Sequence, residues 1–222
     1  MMVENDALGL PVVDALDLPD PVSRPLQPGA LMRTRDGDWH RLPRFFFEVD
    51  SWQTALTTQL TAHFGLWELM DVDLHEAASL RMFPRYVPCA VTSLAAALEV
   101  FRLEVGATVR IAANGGYRSP THRGSRSGSP HCWGTAANIY AIGGEPLDAE
   151  EQIGRYAAVA RRLLPFAWVR PYGHDAGQTD DHLHIDLGYA TMVPNGISEE
   201  DDEADQAQRL DDRSSGTSGV RP

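Results

Sequence analysis

Three of the eight histidines fall in two short polar segments. The first runs Ser129-Pro130-His131-Cys132-Trp133-Gly134-Thr135-Ala136-Ala137-Asn138, and the second Asp180-Asp181-His182-Leu183-His184-Ile185-Asp186. His182, His184 and Asp186 are spaced by two, and a strand projects residues so spaced from one face. Imidazole and carboxylate side by side are what a zinc ion takes as ligands, thiolate aside. The same spacing also describes a polar strand that faces solvent and holds no ion. Cys132 adjoins His131, which raises a Cys-His nucleophile pair. Neighbours on a strand point to opposite faces, so Cys132 reads instead as a buried inert thiol, as does Cys89 in an apolar segment.

Other titratable residues are weaker signals. His122, Arg123 and Arg126 make a basic loop that would suit a substrate carboxylate, yet a solvated loop is the simpler reading. His174-Asp175 lies on a glycine-bearing loop and could rim a pocket, without ligand spacing. His40, His63 and His75 have no partner nearby in sequence and read as ordinary surface or core histidines.

Composition removes whole classes of chemistry. All 19 basic residues are arginine, so Schiff bases, a phosphate-loop lysine and a Ser-Lys dyad are excluded. Two cysteines are too few for a disulfide scaffold or an all-cysteine zinc module. The net charge of −12 makes general nucleic-acid binding a poor expectation. No stretch reads as a membrane span, and MMVENDALGLPVV lacks the basic start and apolar run of a signal peptide. The expectation is a cytoplasmic protein, with release by a non-standard or phage route as the other way out.

The elements that must position these residues follow from periodicity. Residues 1–30 hold five prolines and no sustained period, which suggests an extended or loosely ordered arm. Asp36-Gly37 centres a hairpin between Leu31 and Leu42. Ser51 caps a helix over 51–62 with Trp52, Leu56 and Leu60 on one face. A stronger helix spans Pro88–Glu104, striped by Val91, Leu94, Leu98 and Phe101 and ended by Gly106; strand 108–113 follows. Residues 114–130 are loop chemistry. Helix period returns over Glu150–Leu164 with Ile153, Ala157, Ala160 and Leu164, and strands are expected at 166–169 and 182–189. The sum is an α+β fold: a single domain with a small, mostly antiparallel sheet, helices packed on one side, and flexible termini. Residues 198–222 set eight acids against three arginines and read as a disordered solubilising tail, or as a segment for a protein partner.

Tyr117-Arg118-Ser119-Pro120, then Ser129-x-His131-x-x-Gly134-x-Ala136-x-Asn138, then Asp181-x-x-His184, resembles the zinc D-alanyl-D-alanine carboxypeptidase group. That group includes the L-alanyl-D-glutamate endopeptidases of phage lysins and is related in fold to hedgehog signalling domains. Phe47 through Ala55 is similar as well, so the resemblance covers roughly residues 45–190 in order and spacing. It divides the chain into a proline-rich arm and hairpin (1–44), a zinc-peptidase-like domain (45–195) and the acidic tail (196–222).

The resemblance implies one zinc ion held by His131, the residue at 138 and His184. It implies Asp181 as general base and acid, Arg118 as the steadying charge on the polarised carbonyl, and Ser129 and Tyr117 beside the substrate. The substrate it implies is a D-amino-acid-containing peptide of the bacterial cell wall. One position departs: the group has Asp where this chain has Asn138. An amide oxygen brings zinc no negative charge. Three outcomes stay open: Asn138 ligates weakly, His182 or Asp186 substitutes for it, or the fold is kept as an inactive module that binds a peptide or protein.

Overall fold

The computed structural model describes residues 2–3, 8–125, 128–174 and 180–193. Met1–Met192 form one compact unit; the second, Val193–Pro222, lies outside the described residues except for Val193, and with it the acidic tail. The elements in chain order are β1 (Met2–Val3), β2 (Val12–Asp14), α1 (Asp20–Leu26), β3 (Leu31–Arg33), β4 (Trp39–Arg41), β5 (Phe45–Glu48), α2 (Trp52–Thr57) and α3 (Leu66–Met70). They continue with β6 (Tyr86–Pro88), α4 (Val91–Val105), β7 (Val109–Ile111), β8 (Ala136–Ile142), β9 (Glu145–Pro146), α5 (Glu150–Leu163), β10 (Trp168–Val169) and β11 (Leu183–Asp186). The fold is α+β, and every strand pairing is antiparallel. No helix among the described residues is long and apolar enough to cross a membrane.

Two sheets stand where one was expected. One is ordered β1-β2-β5-β6, the other β10-β11-β8-β7 with β9 on β8, and β3–β4 is a separate hairpin. The proline-rich start is therefore built in: Val12–Asp14 pairs with Phe45–Phe47, and Asp14 accepts two bonds from the Arg44 guanidinium at 2.9 and 2.6 Å. Pro21 sits in the first turn of α1, where its missing N–H costs nothing. The Asp36-Gly37 hairpin forms as expected, with Gly37 at φ 96°.

α4 buries Val91, Leu94, Leu98 and Phe101 completely and ends at Gly106 in the left-handed conformation. α5 buries Ile153, Ala157 and Ala160 and packs against α4, β10 and β11. The helix expected over 51–62 is shorter. Ser51 does cap it, accepting from the Thr54 amide, but Thr58 is already extended and Leu56 is exposed. Thr57 and Thr58, β-branched and bonded back to Gln53 and Thr54 carbonyls, end the helix there, and Ala55 rather than Leu56 meets the core.

The five-stranded sheet positions the polar segments. In β11, Leu183 and Ile185 turn to the core, which leaves His184 and Asp186 on the opposite face. Register sets His184 directly opposite Asn138 and Asp186 opposite Ala136. The loop after β7 runs beneath α3: the Asn114 and Tyr117 amides donate to Asp71 and Leu69 carbonyls, each at 2.7 Å. A Cβ on Gly116 would lie 2.4 Å from the Leu69 oxygen, so only glycine fits.

Gly116→Ala is expected to lower stability by about 1–3 kcal/mol through this overpacking. Gly154→Ala, in α5 with nothing within 4 Å of the added carbon, should raise it by about 0.5–1 kcal/mol. Urea unfolding midpoints of the two variants check both signs.

Candidate functional site

His131 does not lie on a strand. Pro130–Trp133 form a single 3₁₀ turn started by proline and ended by Gly134 at φ 71°. Trp133 anchors it, fully buried, its indole Nε1–H donating to the Arg41 carbonyl at 2.8 Å. Leu42 and Cys132 share that small core, with Met32 and Tyr189 against it. Cys132 is free and buried, and burial pushes its thiol up to about 11, so it is inert as expected although the alternating-strand reason was wrong.

The turn presents the His131 ring to the loop. Its Nδ1 donates to the Gly116 carbonyl at 2.7 Å, and its own carbonyl accepts from the Arg118 amide at 3.2 Å. The ring stands 5.2 Å, centroid to centroid, from His184. Burial holds the His131 pKa well below its ordinary value, with the Arg118 charge acting the same way. His131 is therefore neutral with its proton on Nδ1, and Nε2 keeps a bare lone pair.

His184 is fixed from two sides. Nε2 lies 3.0 Å from Asp186 Oδ2, and Nδ1 lies 2.8 Å from the side-chain amide of Asn138. Burial lowers its pKa, against the opposing pull of Asp186, so one proton is shared between two nitrogens. The carboxylate takes it, because a charged acceptor holds a hydrogen bond more strongly than a neutral one. Nδ1 then has a lone pair; the atom placed against it is Asn138 Oδ1, so the chain of bonds closes with the amide exchanged end for end and its NH₂ toward the ring. An aspartate at 138 would set a carboxylate against that lone pair and so require a cation between them, a proton or a metal.

Of the remaining residues, the Arg118 charge acts on both rings. Arg118, half-buried, donates Nε–H to the Asn114 carbonyl at 2.6 Å, and its terminal nitrogens have no hydrogen-bond partner among the described residues. Burial lowers its pKa, while Cys132, Asp73 and Glu76 pull the other way. Ser129 is half-buried and precedes the turn. Tyr117 is not beside an open site: its ring is 1% exposed and packs edge-on against Phe46, so it holds the Arg118 backbone in place. Asp181 is largely exposed and lies 2.6 Å from His182 Nδ1. His182 also meets the Arg170 guanidinium through Nε2 at 3.2 Å, and Arg170 pairs with Asp180 at 3.0 Å. Both nitrogens of His182 are thus engaged, and Asp186 is held by His184 and the Gly188 amide, so neither stands ready to replace a ligand at 138.

Three parts of this arrangement were invisible in the sequence. Glu76, 2% exposed, accepts from the Ser119 amide at 3.0 Å and the Ser119 hydroxyl at 2.6 Å, tying a distant loop to the Arg118 segment. Trp168 pairs in register with Asp186 and stands edge-to-face with His184 at 5.5 Å. His75 and His122, far apart in sequence, meet at Asp73.

Among the described residues, two groups of side chains could hold a metal ion, Asp73-His75-His122 and Asp36-Asp38-His40. In the first, His122 Nδ1 accepts from the Gly124 amide at 3.0 Å, which puts the ring proton on Nε2, toward Asp73 at 3.3 Å. An ion there would have to displace that proton and break the Gly124 bond, since a ligating histidine donates through its other nitrogen. The second lies on the hairpin tip and is mostly exposed. Arg126 and Asp175 lie outside the described residues. No family model, curated protein or solved structure matches the chain.

Burial depresses the pKa of His131, His182 and His184 together. Above the unfolded-histidine pKa, about 6.5, both states are neutral and the stability is fully present. As pH falls below it the unfolded chain takes protons that the folded chain refuses, so stability drops until the folded pKa values are reached. Each histidine adds a slope approaching about 1.4 kcal/mol per pH unit. The urea midpoint of chelator-treated protein should fall between about pH 7.5 and pH 5.5, and His131→Gln should flatten the profile; a flat profile in the unaltered protein would contradict the assigned protonation.

Proposed function

We propose that the chain is a zinc-dependent peptidase-like protein acting on D-amino-acid-containing peptides of the bacterial cell wall, of the D,D-carboxypeptidase or L-alanyl-D-glutamate endopeptidase type. What supports this is the pair of imidazoles already set for ligation. Gly116 takes the proton of His131 and Asp186 that of His184, each the outer partner that a metal-binding histidine needs. Asn138 adjoins the other nitrogen of His184, Nδ1, at 2.8 Å. The donor set fits zinc in its two histidines and is one charge short at the third position.

Zinc held by His131, His184 and the Asn138 oxygen would supply an acidified water and a polarised scissile carbonyl. The chain's own groups do the rest. Arg118 offers its unpaired N–H fork to the developing oxyanion, a charge fixed in place before the reaction. Asp181, held by His182, is the carboxylate that accepts a proton and returns it to the leaving amine. Glu76 and Tyr117 keep the Arg118 backbone still.

Asn138 favours a second reading, a catalytically silent relative that binds such a peptide. Its amide closes the hydrogen-bond chain around His184 with no metal at all. Zinc per chain in untagged protein, measured beside Asn138→Asp, separates the two. The peptidase reading expects zinc in the unaltered protein, bound about tenfold or more weakly than in the variant. It also expects muropeptide cleavage to vanish on chelation and in His184→Ala. Zinc in the variant alone would establish the binding module, and cleavage that survives chelation would overturn the zinc mechanism.

A further inference from the structure

The loop that carries Arg118 runs on into a tight turn from His122 to Ser125. The Ser125 amide closes it by donating to the His122 carbonyl at 2.9 Å. Arg123–Ser125 is 3₁₀ in form and Gly124 lies outside the left-handed region, so the turn is of type I. Asp73 meets it from the segment after α3, held by the His75 amide, which donates to Oδ1 at 2.6 Å. Its Oδ1 lies 3.3 Å from His122 Nε2 and its Oδ2 3.2 Å from His75 Nδ1. One donor atom from each of the three residues lies within 4.8 Å of the other two. Zinc bonds in a tetrahedron set ligand atoms about 3.3–3.6 Å apart, so the group needs little closing. His122 is 5% exposed and fixes one ligand, while exposed His75 can move its proton to Nε2, in water. Two imidazoles and one carboxylate suit zinc and its neighbours better than calcium or magnesium, which take oxygen ligands.

The Gly124 bond stands in the way of an ion. His122 ligating through Nε2 carries its proton on Nδ1, where the Gly124 N–H now points at 3.0 Å, and two donors would face each other. Turning over the Arg123–Gly124 peptide removes the conflict. It brings the Arg123 carbonyl to Nδ1–H as acceptor, keeps the Ser125–His122 bond, and changes the turn from type I to type II. A type II turn demands positive φ at its third residue, and that residue is glycine here. We propose that Asp73, His75 and His122 form a site for zinc or a like divalent transition metal, and that filling it turns the Arg123–Gly124 peptide over. The moving peptide lies against Arg118, since a Cβ on Gly124 would stand 3.1 Å from Nη1. Filling the site therefore reverses a backbone dipole beside that guanidinium. The site stands whether or not the His131–His184 pair holds zinc.

Nitrogen NMR of the full chain, labelled at histidine and stripped of metal with chelator, follows the ring as zinc is added. His122 should pass from a proton on Nε2 to a proton on Nδ1. His75→Ala, a change at an exposed residue, should raise the zinc needed for that response by about a hundredfold. Gly124→Ala should raise it by about tenfold, because positive φ is unfavourable for any residue with a Cβ. In the metal-free turn the added carbon meets only side-chain atoms, of Arg118 and His122, at 3.1 and 3.2 Å. His184→Ala should leave the response in place. A His122 ring that zinc leaves unchanged, a response unaltered in His75→Ala, or one lost in His184→Ala overturns the site. Equal zinc affinity in Gly124→Ala overturns the turning of the peptide and with it the proposal.

Discussion

The arrangement turns on one imidazole held between two side chains. His184 can give its single proton to only one neighbour, and β-sheet register decides who the neighbours are. Pairing of β11 with β8 sets Asn138 opposite the ring, and the next outward-facing position along β11 supplies Asp186. A slip of one residue would turn His184 and Asp186 into the core and bring Leu183 and Ile185 out. The complete burial of Leu183 and Ile185 prevents that slip. The tautomer of a buried histidine is thus secured by hydrophobic packing on the far side of its strand.

The neighbouring loop is governed by the same economy of protons and close contacts. Gly116 gives its carbonyl to His131 and passes under Leu69 where no side chain fits. Asn114 takes a left-handed backbone at φ 52° and offers its carbonyl to Arg118. Glu76 reaches in from a separate loop to fasten Ser119. Arg118 is therefore pinned by its main chain and its Nε, while the end of its guanidinium makes no hydrogen bond among the described residues.

Much of this was legible in the sequence because it depends on local periodicity. The stripe of α4, the period of α5, the Asp36-Gly37 turn and the alternation of His184 with Asp186 each declare themselves within a few residues. The central strand β8 did not. Its sequence, AANIYAI, has small residues where an alternating strand would have large ones, so no strand was expected there. The early prolines likewise hid a strand that forms only because Phe45–Phe47 are there to pair with it. Glu76 and Trp168 gave no signal, since their meaning depends on partners that lie far away along the chain. The departure at Asn138 was plain from the letters, but its ability to complete a metal-free hydrogen-bond chain emerges only from its contact with His184.

The turn bearing His131 is also where distant parts of the chain meet. Trp133 is tied to Arg41 in the hairpin, His40 of the same hairpin stacks on Tyr189 at 4.1 Å, and Thr135 bonds to the Gly188 carbonyl. A fragment begun at Phe45, where the family resemblance starts, would leave the Trp133 indole without its acceptor and Tyr189 without its stacking partner. The heritable unit is consequently longer than the stretch that carries the motifs. Recombination that exchanged the motif-bearing segment alone would carry His131, Asn138 and His184 and lose the brace that holds the turn bearing His131.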